Sequence, residues 1–222
     1  MNLSYTEEQV MLREQIQKFC ETEYDFYKRE EVVKSEDDFD ANAWSLFAEQ
    51  GWLSMPFSEE SGGFGFGPVE LSILFEEFGK SLVIEPYLSN VVLAGSVLDK
   101  SNFEGKVELI ENICSGSMHV SLAYAEAAHS YEYLKPDTNV SDGNKLNGTK
   151  TLVLNGKNAS KVIVSCVMNE ELSLVQSIQL LMVFLLILLE LLMKRHVLNL
   201  PLKMYLFRIQ MLLLLVMRPK IF

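Results

Sequence analysis

Cysteine and histidine are both scarce in this sequence, with three of each among 222 residues. The cysteines lie far apart, which excludes the disulfide framework of a small secreted domain and favours reduced thiols in a core. The histidines lack the spacing of a zinc site, so we predict no bound metal. The residues concerned are Cys20, Cys114, Cys166, His119, His129 and His196.

Positive charge is also in short supply. The chain has 19 Lys and Arg against 30 Asp and Glu, a net charge of −11, which disfavours binding to nucleic acid or to an anionic membrane surface. The deficit lies in residues 1–170, with 13 basic and 28 acidic side chains, whereas residues 171–222 hold 6 and 2. The N-terminus is acidic and lacks the apolar core of a secretory signal, so we expect a cytoplasmic protein.

Residues 171–222 lack Gly, Ala, Asp, Thr, Trp and Cys altogether, and Leu fills 18 of these 52 positions. One explanation is a membrane anchor, because residues 172–193 form an apolar stretch long enough to span a bilayer. Glu190 lies within that stretch, and a buried carboxylate is costly in lipid, so we disfavour a membrane anchor. The other explanation is translation in a shifted reading frame, since natural helices and loops use Gly, Ala and Asp freely.

The rest of the chain is organised around residues 44–86, which hold two helices joined by a glycine-rich loop. Gly51 is placed to end the first helix in a left-handed conformation, and Pro68 fits the first position of the second helix. The second helix carries an apolar stripe on one face, and we expect it to stop at Gly79. The stripe consists of Leu71, Leu74, Phe75 and Phe78.

The loop between these helices contains four glycines and has two interpretations, a ligand-facing loop or a surface connection between packed helices. No Gly-Lys-Ser/Thr follows, so it is not a phosphate-binding loop. No strand precedes it, so it is not a dinucleotide-binding turn. The spacing of Gly62, Gly63, Gly65 and Gly67 favours the surface connection.

Several further helices are predicted before residue 118. Ser4 and Glu7 fit a capping box at the start of the first helix, and Asp40 can cap the helix that ends at Gly51. Residues 88–98 are mostly apolar and residues 105–114 are amphipathic. Five or six helices with short connections predict an all-α domain over residues 1–117.

From residue 118 the pattern becomes that of strands. Apolar and small residues alternate near residue 120, and residues 162–164 form a β-branched run. Asn147-Gly148 and Asn155-Gly156 are typical of tight hairpin turns. The fold class is therefore α+β, with a truncated antiparallel β-domain over residues 118–170 and a non-native, Leu-rich tail over residues 171–222.

Long ordered motifs in the first part of the chain resemble the N-terminal helical domain of the acyl-CoA dehydrogenases. A segment after the second helix, residues 82–88, is similar to the group called pimeloyl-CoA dehydrogenase small subunits. The resemblance extends to about residue 168. The motifs are Gly51-Trp52-Leu53, Pro56, Glu59-Glu60-x-Gly62-Gly63-Phe64-Gly65, Glu76-Glu77-Phe78-Gly79 and Leu82-Val83-Ile84-Glu85-Pro86-Tyr87-Leu88.

This resemblance implies an FAD enzyme that removes two hydrogens from the Cα–Cβ bond of an acyl-CoA thioester and passes electrons to an electron-transferring flavoprotein. It also implies a homo- or heterotetramer, with a possible large subunit as partner. In the family a glutamate of the C-terminal helical domain abstracts the proton, and no residue here matches that motif. We therefore name no catalytic residue and expect this chain to be a truncated, inactive form.

Two segments match those that contact the flavin in the family. Leu122, Tyr124 and Ala125 belong to a strand that usually ends Thr-Glu-Pro, and Leu152 and Leu154 to one that usually reads Lys-x-Trp-Ile-Thr-Asn-Gly. Ala125 and Leu154 replace threonines and Leu152 replaces the tryptophan, so we expect weakened FAD binding.

Tyr131 stands where many members of the family place a substrate-contacting serine, so the resemblance assigns it to acyl-CoA binding. His129 is close by, and it is more often a polar loop residue than a group beside the acyl chain.

The resemblance also bears on the tail. Read from the third base of each codon, residues 201–205 permit Phe-Glu-Asn-Val, and a Phe-x-Asn-Val-x-Val strand occurs near the end of the family's β-domain. We therefore favour the shifted frame. Two alternatives for the function are a non-catalytic partner subunit of a heteromeric acyl-CoA dehydrogenase and a membrane-anchored helical protein.

Overall fold

The computed structural model describes residues 4–35, 39–126, 134–141, 145–178, 206–212 and 216–217. Its first part is helical, and a sheet follows, which confirms the predicted α+β class. The helices are α1 (Glu7–Glu23), α2 (Phe26–Lys34), α3 (Ala41–Glu49), α4 (Pro68–Lys80), a π-helix (Leu88–Gly95) that continues into α5 (Ser96–Asp99), and α6 (Lys106–Cys114).

The start of α1 differs from the prediction. Thr6, not Ser4, caps the helix: its hydroxyl accepts a hydrogen bond from the amide of Gln9 at 3.2 Å, and the Gln9 side chain accepts one from the amide of Thr6 at 3.0 Å. The Ser4–Glu7 capping box is therefore wrong by two residues, because Thr6 and Gln9 satisfy the same pattern.

The helices around the glycine-rich loop begin and end largely as predicted. Asp40 caps α3, with its carboxylate accepting from the amide of Asn42 at 2.8 Å. Gly51 has φ +75° after the end of α3, and Pro68 is the first residue of α4. Gly79 does not end α4, since the helix continues to Lys80.

The buried face of α4 is rotated from the predicted stripe. Leu74 and Phe78 are buried as expected, but Phe75 is exposed and Glu77 is buried. Glu77 can be buried because Arg13 and Lys80 each place a nitrogen 2.8 Å from its carboxylate. Charged partners on α1 and α4 thus allow a polar residue to replace an apolar one in the helix interface.

Side-chain hydrogen bonds fix the position of the glycine-rich loop that connects α3 to α4. The hydroxyls of Ser58 and Ser61 donate to the carboxylate of Asp99 at 2.7 and 2.6 Å, which fixes the start of the loop against α5. A Cβ atom at Gly63 would lie 2.2 Å from the backbone oxygen of Phe57. This close approach accounts for the glycine, and the choice between a surface connection and a ligand-facing loop stays a prediction.

The sheet has the strand order β6-β3-β2-β4-β5-β7, and β1 lies beside the first half of β4. Most neighbours are antiparallel, whereas β1 and β2 run parallel to β4. The strands are β1 (Val120–Ala123), β2 (Asn139–Ser141), β3 (Lys145–Thr151), β4 (Lys161–Met168), β5 (Glu171–Ile178), β6 (Leu206–Leu212) and β7 (Val216–Met217).

The tight hairpin turn lies at a position that the sequence did not reveal. Asn169 and Glu170 both have positive φ, 52° and 66°, and they join β4 to β5 with Met168 opposite Glu171. The predicted hairpin at Asn147-Gly148 is wrong, because both residues lie inside β3. A Cβ atom at Gly148 would lie 2.3 Å from Thr138 Oγ1, so this glycine permits close chain packing.

The second Asn-Gly pair does form a turn. Asn155 has φ +54°, and the amide of Gly156 donates to the carbonyl of Val153 at 3.2 Å. The turn connects β3 to β4, which are not neighbours in the sheet. It is therefore a crossover connection and not the predicted hairpin.

The two faces of the sheet pack differently. Val120 and Ile163 join the core of the helical part, whereas Ala123, Val162 and Val164 belong to a smaller core on the other face. The side chain of Asn90 links the helical part to the start of β1. It accepts a hydrogen bond from the amide of Val120 at 2.8 Å and donates one to the carbonyl of Met118 at 3.2 Å.

The described ranges contain no helix with the length and hydropathy needed to cross a membrane. Within the apolar stretch 172–193, residues 172–178 belong to β5. The rest of that stretch lies outside the described residues.

Candidate functional site

The two predicted flavin segments lie side by side. The hydroxyl of Ser121 donates to the carbonyl of Leu154 at 2.9 Å, and the amide of Thr151 donates to the carbonyl of Ala125 at 2.8 Å. Residue 121 is thus opposite residue 154, and residue 125 is opposite residue 151. The segments run antiparallel, and the structure brings together five of the six predicted site residues.

These five residues differ in exposure. Leu152 and Leu154, which follow the end of β3 at Thr151, are 51% and 50% exposed. Ala125 is buried, and Leu122 is half-buried against the core of the helical part. Tyr124 is half-buried as well. The sixth predicted residue, Tyr131, lies outside the described residues, as does His129.

The backbone under the exposed leucines takes a conformation that is rare for such residues. Leu152 has φ +54°, and Asn155 has the same value. A left-handed conformation at a leucine costs about 1–2 kcal/mol, so neighbouring contacts must hold it in place. Strain of this kind tends to occur at functional sites.

A buried ion pair lies directly behind the two segments. Lys150, which is fully buried, donates from Nζ to Glu126 Oε1 at 2.8 Å. It also donates to the hydroxyl of Ser165 on β4 at 3.0 Å and is 3.4 Å from the carbonyl of Tyr124. Three acceptors match the three protons of an ammonium group.

Glu126 connects this ion pair to a third segment. Its carboxylate accepts from the amides of Asp137 and Thr138 at 2.6 and 3.0 Å and from the hydroxyl of Thr138 at 2.5 Å. Burial by itself raises the pKa of Glu126, but the hydrogen bonds from Lys150 and from residues 137–138 outweigh it and bring the pKa to about 2. Glu126 is therefore ionised at neutral pH.

Burial lowers the pKa of Lys150 from its ordinary value, and the adjacent Glu126 carboxylate opposes that shift. Sequence analysis did not assign a role to either residue. Both lay within the quoted motifs, Lys150 two positions before Leu152 and Glu126 immediately after Ala125. A charged residue beside apolar neighbours at each of these two positions could have indicated a buried ion pair.

The exposed surface of these segments suits the face of a planar aromatic ring. Leu152 and Leu154 supply exposed apolar contact, whereas Ala125 is buried beside them. FAD fits this chemistry, although Ala125 and Leu154 offer no side-chain hydroxyl. Hydrogen bonds to a flavin at these two positions can come only from the backbone.

The helical part contains a separate cleft of about 360 Å³ beside α4 and the segment that follows it. Phe75, Phe78, Leu82 and Tyr87 form its apolar walls. Glu85 also lines it, and burial raises the pKa of this carboxyl group. None of the five predicted site residues that the structure describes contributes to the cleft.

Comparison with known proteins identifies the helical part. Residues 6–117 match the family described as acyl-CoA dehydrogenase, N-terminal domain. The acyl-CoA dehydrogenase IpdE2 of Mycolicibacterium smegmatis is 30% identical over 114 residues, which cover 51% of this chain and 37% of that protein. The probable acyl-CoA dehydrogenase YngJ of Bacillus subtilis is 28% identical over 173 residues, 75% of this chain and 45% of that protein.

Solved structures have the same fold. The ChsE4-ChsE5 complex from Mycobacterium tuberculosis superposes with a TM-score of 0.71 at 25% identity, covering 80% of this chain and 49% of that chain. The chain thus spans about half the length of the solved structure and less than half of the two curated relatives.

Proposed function

Because the chain belongs to the acyl-CoA dehydrogenase family, we propose that it represents an FAD-dependent enzyme that introduces a double bond between Cα and Cβ of an acyl-CoA thioester. The observation that carries this proposal is the antiparallel pair of segments, residues 121–126 and 150–154, in which Leu152 and Leu154 are both exposed. When bound there, FAD accepts the two electrons of the dehydrogenation. Leu122, Tyr124, Ala125, Leu152 and Leu154 are the proposed contacts of its ring.

The substrate and electron acceptor follow from the family resemblance. We infer that the substrate is an acyl-CoA that Tyr131 contacts, and that an electron-transferring flavoprotein receives the electrons. A tetramer in the cytoplasm is the expected setting.

We further infer that the 222-residue chain does not complete the reaction alone. By resemblance the general base is a glutamate, and no acidic residue within residues 1–168 matches its motif. General-base catalysis requires a carboxylate within hydrogen-bond reach of the proton that is removed. We therefore expect this chain to bind flavin but not to convert the acyl-CoA substrate.

Two measurements on the purified chain test these points. Titration with FAD, followed by the quenching of flavin fluorescence, tests the ring site, and saturable binding is the expected result. Bleaching of bound flavin by medium-chain acyl-CoA tests turnover, and we expect none. A chain that binds no FAD would contradict the proposed site, whereas a chain that is bleached by substrate would contradict the proposed inactivity.

The shifted reading frame remains our proposal for the tail, but we move its proposed boundary from about residue 170 to a position after most of β5. All eight residues of β5 pair with β4, and Val175 is buried in the sheet core as a native strand requires. Gln176 is also buried, but its Oε1 has no hydrogen-bond partner among the described residues. Trp44, Trp52 and Glu85 in the helical part also carry a buried polar atom without a partner among the described residues, so Gln176 does not by itself mark the boundary.

The nucleotide sequence over codons 165–222 tests this boundary. We expect a second phase to continue, from about codon 176, into a sequence that contains Gly and Asp and then predicts a helical bundle. Stop codons in both other phases would show that the tail is the intended sequence, and would favour the membrane-anchored alternative.

A second candidate function is that of a non-catalytic partner subunit. The absence of hydroxyl groups at Ala125 and Leu154 favours it, because fewer hydrogen bonds would hold a flavin. The similar ChsE4-ChsE5 structure is a complex, and by resemblance a large subunit is the expected partner of this chain. Flavin content of a full-length relative separates the candidates: stoichiometric FAD supports the enzyme, and none supports the partner subunit.

A further inference from the structure

We propose that Lys150, together with Glu126, is a positioning residue for the flavin site, fixing the separation of the two segments that face the ring. This inference rests on the proposed function. It assigns a role to two side chains that do not themselves reach the exposed surface.

The contacts of Lys150 join separate parts of the chain at one atom. Its Nζ donates to Glu126 at 2.8 Å and to Ser165 at 3.0 Å, and it lies 3.4 Å from the carbonyl of Tyr124. Tyr124 and Glu126 belong to one ring-facing segment, Lys150 itself belongs to the other, and Ser165 lies on β4 behind both. One ammonium group thereby holds both segments against the same strand.

Strand pairing alone does not hold the first segment. The ladder between β1 and β4 ends with Ala123 opposite Val164. Beyond it, the contacts that hold residues 124–126 include the hydrogen bond from the Thr151 amide to the carbonyl of Ala125 and those made by Lys150 and Glu126. The proposed ring contacts Tyr124 and Ala125 lie within this stretch, so the ion pair acts where the sheet no longer does.

Burial makes this arrangement unusually sensitive to loss of one partner. Both groups are shielded from water, since Lys150 is 0% and Glu126 5% exposed. Removing the ammonium would leave a carboxylate buried among the amides of residues 137–138, and such a carboxylate must move or draw in water. Movement of Glu126 would displace the adjacent Ala125.

The experiment compares Lys150→Met with a matched ion-pair variant in the helical part, Arg13→Met. Arg13 places Nε 2.8 Å from Glu77, which is also buried, so each variant breaks an ion pair to a buried carboxylate, and Glu77 keeps Lys80 as a second partner. Both are made in the full 222-residue chain. The FAD dissociation constant and the induced circular dichroism of the flavin are measured at a temperature where each variant is folded.

We expect Lys150→Met to weaken FAD binding by about tenfold to 100-fold and to change the induced circular dichroism. Arg13→Met should leave the FAD dissociation constant within about twofold of wild type. Ser165→Ala removes one of the hydrogen-bond acceptors of Lys150, so its FAD affinity should lie between those of wild type and Lys150→Met. This variant provides the test if Lys150→Met does not fold. Equal FAD affinities for wild type, Lys150→Met and Ser165→Ala would overturn the inference.

Amide hydrogen exchange separates this inference from the proposed function. The Thr151 amide bonds across the two segments, so its exchange should accelerate at least about tenfold in Lys150→Met and not in Arg13→Met. If wild type binds no FAD, the proposed function fails, and the exchange rate at Thr151 still decides the positioning role. An unchanged rate at Thr151 would refute that role.

Discussion

Lys150 Nζ lies 2.8 Å from Glu126 Oε1, and both side chains are buried beneath the proposed flavin site. A buried ion pair of this kind contributes little net stability compared with an apolar replacement of the same shape, but breaking it by removing one partner costs about 3–5 kcal/mol. The pair is therefore better understood as fixing chain positions than as stabilising the fold.

The Glu126 carboxylate should make the chain sensitive to strong acid. Its pKa is about 2 in the folded chain against an ordinary value of 4.5. A lowered folded pKa gives stability that is present above pH 4.5 and is lost as the pH falls toward 2, by up to about 3 kcal/mol. Urea unfolding between pH 2.5 and 6 should show this slope in wild type.

Glu126→Gln is the control for that slope, because it keeps an oxygen acceptor and removes the titration. It should be less stable than wild type at pH 6, and the difference should shrink as the pH falls below 4.5. A difference that stays constant over this range would show that Glu126 does not titrate as the geometry requires.

His119 should produce a second, separate dependence on pH. Its ring stacks on Trp44 with centroids 5.0 Å apart and contacts Phe39 at 4.8 Å, and burial lowers its pKa to about 4. The unfolded chain therefore takes up a proton near pH 6.5 while the folded chain does not. Stability from His119 is complete above pH 6.5 and is lost as the pH falls through 4.

His119→Phe tests this because phenylalanine retains an aromatic ring against Trp44 and cannot be protonated. The loss of unfolding free energy between pH 7 and pH 4.5 should be smaller in the variant than in wild type. The same loss in both proteins would rule out His119 as its source.

Restoring hydroxyl groups should strengthen flavin binding. Leu154→Thr places a hydroxyl on an exposed position of the proposed site, and one added hydrogen bond is worth about 0.5–1.5 kcal/mol. FAD affinity should then rise by about twofold to tenfold. The same substitution at Leu134, which is exposed outside the site, should leave the affinity unchanged, and fluorescence titration measures both.

Two glycine substitutions should change stability in opposite directions. Gly79→Ala lies within α4, where a Cβ atom meets nothing within 4 Å, so it should stabilise the fold by about 0.5–1 kcal/mol. Gly148→Ala would place Cβ 2.7 Å from Thr138 Cα and should destabilise it by about 1–3 kcal/mol. Chemical denaturation of both variants measures the two changes.

Because both substitutions restrict the unfolded chain in the same way, the difference between them reports contacts of the folded state. A stabilising Gly148→Ala would mean that Thr138 can yield to the added methyl group. Since Thr138 holds Glu126, such movement would also weaken the case for a rigid flavin site.

The sequence predicted the fold class and the family because both depend on features that extend over many residues. Helical periodicity, Pro68 at a helix start and Gly51 after a helix end are local signals, and the structure confirms them. The family motifs cover much of the helical part. None of these inferences requires knowledge of which distant residues meet.

The errors arose where a distant contact decided the local structure. Glu77 is buried because Arg13 reaches it from another helix, and Asn147-Gly148 is part of a strand because Thr138 packs against the glycine. The β4–β5 turn uses Asn169-Glu170, a pair without the glycine that usually marks such turns. The Lys150–Glu126 pair was missed for the same reason, since only the fold brings the two side chains together. The assignment of the flavin contacts stays a prediction.

The parallel pairing of β1 with β4 has a consequence for the order in which the site forms during synthesis. Val120 pairs opposite Lys161, so β1 has no strand partner until some 40 further residues have left the ribosome. At about 5–20 residues per second this delay is about 2–8 seconds, and closing such a loop costs about 3 kcal/mol of chain entropy. The helices can form within that interval, so the two segments that we propose to face the flavin are brought together after the helices.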